Sequence, residues 1–103
     1  EFIGELREEL WAEIAYAIKL EIPEGKRAAT SLAQAIRGLA RSINQPLSIK
    51  ETGIPLDDFN KAMEKLIDNT MADGSLIASA RIPNVAQTER FFNYTYEGRS
   101  IDF

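Results

Sequence analysis

Neither cysteine nor histidine occurs anywhere in this chain. Those two absences remove disulfides, thiolate nucleophiles, zinc fingers, histidine-based triads and nearly every transition-metal site built on imidazole or thiolate. Long apolar runs are also missing, and no charged segment followed by an apolar stretch opens the chain, so neither a membrane span nor a signal peptide is read. A cytoplasmic location is the expectation. The six glycines are scattered along the chain. They form neither a G-x-G-x-x-G behind a strand nor a P-loop, so no phosphate cradle is written into the sequence. Positive charge is short as well: the net charge of −4 argues against nucleic acid or an anionic membrane as partner.

What is present describes one small globular unit. Of 103 residues, 45% are hydrophobic and 27% charged, the usage of a folded chain rather than a disordered one, and the length fits a single helical domain over residues 1–103. Charge is uneven along it. Residues 1–25, 26–50, 51–75 and 76–103 carry −5, +5, −4 and 0. The basic block of Lys26, Arg27, Arg37, Arg41 and Lys50 reads either as a phosphate-binding patch or as a helix face complementary to its acidic neighbours.

Apolar spacing predicts helices and no strand. Residues 2–20 place Ile3, Leu6, Leu10, Ile14, Ala17 and Ile18 three and four apart, a five-turn amphipathic helix broken by Pro23. From Lys26 to Ser42 the set Ala29, Leu32, Ile36, Leu39 and Ile43 faces away from a polar stripe, and many small residues permit close approach of a neighbouring helix. Ser48-Ile49-Lys50-Glu51 fits a capping box opening a single turn stopped at Gly53. Leu56–Ala72 carries Phe59, Ala62, Met63, Leu66, Ile67 and Thr70, with Asp57 and Asp58 at its positive end. Residues 75–83 read as an irregular extended loop. A last helix starts behind the cap Asn84-Val85-Ala86-Gln87 and ends at Gly98, with Phe91 and Phe92 as core anchors. The tail, 99–103, is anchored by Ile101 and Phe103. The expected fold is an all-α compact bundle of four long helices and one short one, in which short connections bring sequential helices together.

Chemistry is hard to place on this framework. The carboxylate pairs Glu8/Glu9 and Asp57/Asp58 are adjacent on helices, where neighbours diverge by about 100°, so neither pair works as an acid and base on one substrate. The six serines have no histidine to activate them. Trp11, Tyr16, Tyr94 and Tyr96 show no pattern for stacking nucleic-acid bases.

Four stretches nevertheless carry a family resemblance in one register. Leu10-Trp11-Ala12-Glu13-Ile14-Ala15-Tyr16-Ala17-Ile18 and Ala35-Ile36-Arg37-Gly38-Leu39-Ala40 resemble two successive helices of the C-terminal domain of iron-containing alcohol dehydrogenases. Pro46-Leu47-Ser48-Ile49-Lys50-Glu51-Thr52-Gly53-Ile54 is similar to that family's P-x-[ST]-L-x-E-x-G-[IV] segment. Ala72-Asp73-Gly74-Ser75 followed by Arg81-Ile82-Pro83 is similar to A-D-x-C-x-x-x-N-P-R-x-P, and Tyr94-Thr95-Tyr96-Glu97-Gly98 resembles the A-Y-x-G ending. Ser75 stands where the family often has Cys, and Ser79-Ala80-Arg81 where it has Asn-Pro-Arg.

The resemblance implies a dehydroquinate synthase-like helical domain from an oxidoreductase that moves a hydride between an alcohol or aldehyde and NAD(P), with Fe²⁺ or a substitute such as Zn²⁺ as Lewis acid. It places the nucleotide on an N-terminal α/β domain and the metal on one Asp and three His upstream of the matching segment. This chain, which has no His, is then expected to bind neither metal nor nucleotide by itself and to form one wall of the active-site cleft. Ser75 is the one residue the resemblance places on that cleft, while Asp73 and Arg81 hold the helix end and loop. The implied partners are the missing nucleotide-binding part and metal-ligand segment, or a second copy covering the apolar surface that the missing part would bury. An independent helical interaction module without catalytic activity is the alternative reading.

Overall fold

The computed structural model describes all 103 residues and bears out the all-α expectation: four α-helices, two 3₁₀ turns and no strand. The helices are α1 (Glu8–Ala17), α2 (Ala28–Ser42), α3 (Leu56–Ala72) and α4 (Val85–Glu97). The fold falls into two units, one of residues 1–45 with 102–103, the other of residues 46–101.

In the first unit, α1 packs against α2. Helix α1 is much shorter than the 2–20 expected from its apolar spacing, and the reason lies at both ends. Residues 1–6 fold as turns, with Gly4 N–H on Glu1 C=O and Leu6 N–H on Ile3 C=O. The Leu6 carbonyl, which a continued helix would give to the Leu10 N–H, instead accepts the Trp11 indole N–H at 2.9 Å. Arg7 then enters the left-handed region, with φ 55°. At the other end Lys19 is left-handed, φ 56°, and Leu20 N–H reaches Ala15 C=O at 2.8 Å while Lys19 N–H reaches Tyr16 C=O at 3.0 Å. This is a Schellman ending, four residues before Pro23.

The buried residues of this unit are mostly small: Gly4, Ala15, Ala28, Ala29, Ser31 and Leu32. Gly4 is required there, because a Cβ on it would lie 2.9 Å from the Cβ of Ala29. The apolar stripe expected along α2 is buried only in its first half. Ile36, Leu39 and Ile43 are 66%, 64% and 60% exposed, and Leu10, Ile14 and Ile18 of α1 are exposed too. Ten residues of α1 span about 15 Å against about 22 Å for the 15 of α2, so the partner helix is too short to cover the stripe. At the tail, the rings of Phe103 and Phe2 meet edge-on at 5.9 Å.

In the second unit, α3 packs against α4. Helix α3 has the expected bounds, and Asn84 and Gln87 form the expected capping box at the start of α4, with bonds of 2.9 and 3.0 Å. The box at Ser48 forms by half: Ser48 Oγ accepts the Glu51 N–H, but the Glu51 carboxylate takes the N–H of Leu47 rather than that of Ser48. The turn it opens is a 3₁₀ turn, Lys50–Thr52, closed by Gly53. The stretch expected to be an extended loop contains a second 3₁₀ turn, Gly74–Ala78.

Aromatic burial also differs from expectation. Phe91 and Phe92 are half-buried, and the buried rings are Phe59, Tyr94 and Tyr96. Tyrosine is buried at little cost where its hydroxyl is satisfied. Tyr96 lies against Phe59, with centroids 4.6 Å apart, and donates its O–H to Ile54 C=O at 3.0 Å. Tyr94 accepts from both Arg90 and Arg99, at 3.0 and 3.1 Å. Thr88 is the largest fully buried side chain, its hydroxyl on Asn84 C=O at 3.0 Å.

Candidate functional site

Ser75 occupies the 3₁₀ turn directly behind α3 and is exposed. Asp73, in extended conformation, ends α3 and caps this turn, its Oδ1 accepting the Ser75 N–H at 2.8 Å. That backbone hydrogen bond, reinforced by the Ser75 side chain, holds the Asp73 carboxyl below its ordinary pKa. The geometry therefore joins Asp73 and Ser75 in one rigid corner. Arg81 is half-buried further along the same connection, with interactions of its own. Around Ser75 in sequence, Ile77 is 80% exposed and Ile82 and Val85 are exposed as well. The segment presents one fixed hydroxyl among aliphatic side chains. That hydroxyl meets the Asp73 carboxylate, and with no histidine in the chain to take up and pass on its proton, it is suited to hydrogen bonding rather than to nucleophilic attack.

The carboxylate pairs diverge as their spacing predicts. Glu8 accepts the Ala28 N–H at 2.5 Å, capping α2 from another helix, and lies 3.5 Å from Arg27. Glu9 turns to Arg7 at 3.2 Å, and its carboxyl is lowered first by its own backbone N–H and then by that arginine. Asp58 pairs with Lys61 at 3.3 Å.

The basic block divides in the same way. Arg27 binds Glu5 at 3.3 Å and Gly4 C=O at 2.7 Å, and Arg37 binds Glu1 at 3.4 Å. For Arg27 and Arg37 these pairs favour complementary helix faces over a phosphate patch.

Arg90 and Arg99 converge on Tyr94, an arrangement that the sequence pattern does not reveal. The guanidinium of Arg99 also stacks over the phenol ring at 4.0 Å. The i, i+4 spacing of Arg90 and Tyr94 was a usable signal. Arg99, however, arrives only because the chain reverses at Gly98, φ 73°.

No three side chains of the Asp, Glu, His or Cys types gather as a metal site would require, and no helix is long and apolar enough to cross a membrane.

Over 95 residues, 92% of its length, the chain is 24% identical to the NADPH-dependent butanol dehydrogenase of Clostridium saccharobutylicum, and the match covers 24% of that protein. The chain thus spans about a quarter of the length of this curated relative. No family model matches the chain, and no solved structure matches it.

Proposed function

We propose that this chain is the C-terminal helical part of an iron-type, NADP(H)-linked alcohol dehydrogenase, where it forms one wall of the substrate cleft and is catalytically silent alone. The observation that carries the reading is the similarity to a butanol dehydrogenase running through 92% of the chain, in agreement with the order of motifs from Trp11 to Gly98. The exposed aliphatic side chains along α2 and around Ser75 support it, because an enzyme wall detached from its other half leaves such groups uncovered.

The residues present do not fit the metal that the resemblance implies. Imidazole and thiolate are missing, and the carboxylates are dispersed into helix caps and ion pairs. In this reading the metal ligands and the nucleotide site belong to the partner part of the enzyme. This chain's own residues position and enclose. Asp73 pins the corner that carries Ser75, the Ser75 hydroxyl offers a hydrogen bond to a polar atom in the cleft, and Ile77 and Ile82 supply apolar surface for an alkyl chain.

The test is the coding sequence upstream of Glu1 together with activity. The expected result is a nucleotide-binding α/β half followed by a His-containing segment, butanol-dependent NADP⁺ reduction by the whole protein, and none by the 103-residue chain. In the whole protein, Ser75→Trp is expected to raise KM for butanol more than it lowers kcat. A start codon directly before Glu1, or turnover by the isolated chain, overturns the reading.

A further inference from the structure

Asp73–Gly74 is the one place in the chain where an Asp or Asn precedes glycine. It lies at the exposed corner between α3 and the second 3₁₀ turn, and the hydrogen bonds of that corner pass around the Gly74 nitrogen. Asp73 N–H goes to Thr70 C=O, Ser75 N–H to Asp73 Oδ1 and Leu76 N–H to Asp73 C=O, whereas the Gly74 N–H takes part in none of these bonds. Beyond its chain neighbours, no atom lies within 4 Å of the place a Gly74 Cβ would occupy, so the approach is open. Two features hold the pair apart. Asp73 has φ −71° and ψ 114°, which turns the Gly74 nitrogen away from the Asp73 Cβ, and the Ser75 N–H engages the carboxylate at 2.8 Å. The same bond favours the ionised carboxyl, the form that resists attack by an amide nitrogen.

We infer that Asp73–Gly74 is a site of spontaneous isoaspartate formation, latched in the folded chain by the Asp73–Ser75 hydrogen bond. Once the corner opens, the Gly74 nitrogen bonds to Asp73 Cγ, and the protonated carboxyl loses its hydroxyl as water together with the amide proton. Water then adds to the main-chain carbonyl carbon of Asp73, whose bond to the Gly74 nitrogen breaks as that nitrogen regains a proton. The net change is an isomerisation: one water leaves, one is consumed, and nothing is oxidised or reduced. Glycine at 74 matters because it has no Cβ to crowd the attacking nitrogen. The other four aspartates precede Asp, Phe, Asn and Phe, each of which has one. After the step the main chain runs through Asp73 Cβ and Cγ, one atom longer, and Ser75 N–H has lost the side-chain acceptor that fixed the corner. The chemistry needs only these residues and does not rest on the dehydrogenase reading.

The test ages the 103-residue chain at neutral pH, folded and in denaturing urea, and follows the tryptic peptide 66–81 for loss of Asp-specific cleavage before residue 73 at unchanged mass. The expected result is isoaspartate at 73 in both samples, formed about tenfold faster in urea, where no latch exists and every chain is open. Gly74→Ala, aged in urea, is expected to form it about tenfold more slowly than the parent chain, because the added methyl crowds the nitrogen. That comparison is made on unfolded chains, so it stands whether or not the variant folds. No isoaspartate at 73 in urea, an unchanged rate in Gly74→Ala, or isoaspartate arising first at another Asp or Asn each overturns the site. A folded chain that reacts as fast as the unfolded one overturns the latch.

Discussion

Asp73 Oδ1 and the backbone nitrogen of Ser75 stand 2.8 Å apart, and this one contact both ends α3 and fixes the corner that carries Ser75. The bond is made to the carboxylate, so it lowers the Asp73 pKa in the folded chain relative to the unfolded one. Its contribution is therefore complete above the unfolded carboxyl pKa and is lost as pH falls through the depressed folded value. Carboxyl NMR titration is expected to place Asp73 below the ordinary aspartate value. Asp73→Asn, which keeps an acceptor but no charge, is expected to make Ser75 amide protection insensitive to acid. Titration of Asp73 at or above the ordinary aspartate value contradicts this account.

Burial of Tyr96 against Phe59 gives the second unit its aromatic centre, and the two side chains contribute differently. Tyr96→Phe removes only the donor to Ile54 C=O and is expected to cost about 1 kcal/mol. Phe59→Ala empties a site that is 4% exposed and is expected to cost about 3–5 kcal/mol. Urea unfolding with an unchanged slope is the measurement, and a smaller loss for Phe59→Ala than for Tyr96→Phe refutes the assignment.

Three helices end on the same left-handed turn with three different residues: Lys19 after α1, Asn44 after α2 and Gly98 after α4. Only glycine adopts that conformation without steric cost. Lys19→Gly is therefore expected to stabilise by about 1 kcal/mol, the penalty of the Cβ less the entropy that glycine adds to the unfolded chain. Gly98→Ala is expected to destabilise by about 1–3 kcal/mol, because its Cβ would lie 3.1 Å from both Leu47 O and Ser48 Cβ. Thermal unfolding of the two variants moves in opposite directions if the turn geometry is as described.

Those endings also mark where the sequence was legible. Helix α3 and the Asn84–Gln87 box follow local rules, periodicity and side-chain capping, which four to seven neighbouring residues encode completely. The truncation of α1 does not, because it depends on an indole N–H five residues away competing for the Leu6 carbonyl and on a lysine accepting a positive φ. Propensity ranks Arg7 and Lys19 as good helix formers, so these particular contacts override it. At the candidate site, Asp73 was readable as a helix-ending residue, whereas the pairing of Arg90 with Arg99 on Tyr94 requires a chain reversal that spacing alone does not reveal.

The exposed ridge of α2 yields a prediction in which stability and association separate. Leu39 and Ile43 are mostly in water, so replacing both with Gln removes little burial and retains helix propensity, and unfolding is expected to change by no more than about 0.5 kcal/mol per site. Leu32, one turn before Ile36 on the same stripe and 8% exposed, is expected to cost about 2–5 kcal/mol on truncation to Ala. If the ridge is the surface that the missing half of the enzyme covers, the double Gln variant loses alcohol-dependent NADP⁺ reduction in the whole protein while the isolated chain keeps its melting temperature. Sedimentation of the isolated chain at high concentration is expected to show weaker self-association for the same variant, because the apolar area available for pairing has fallen. Unchanged activity in the whole protein would move the interface to the other exposed aliphatic groups, Ile77 and Ile82 around Ser75.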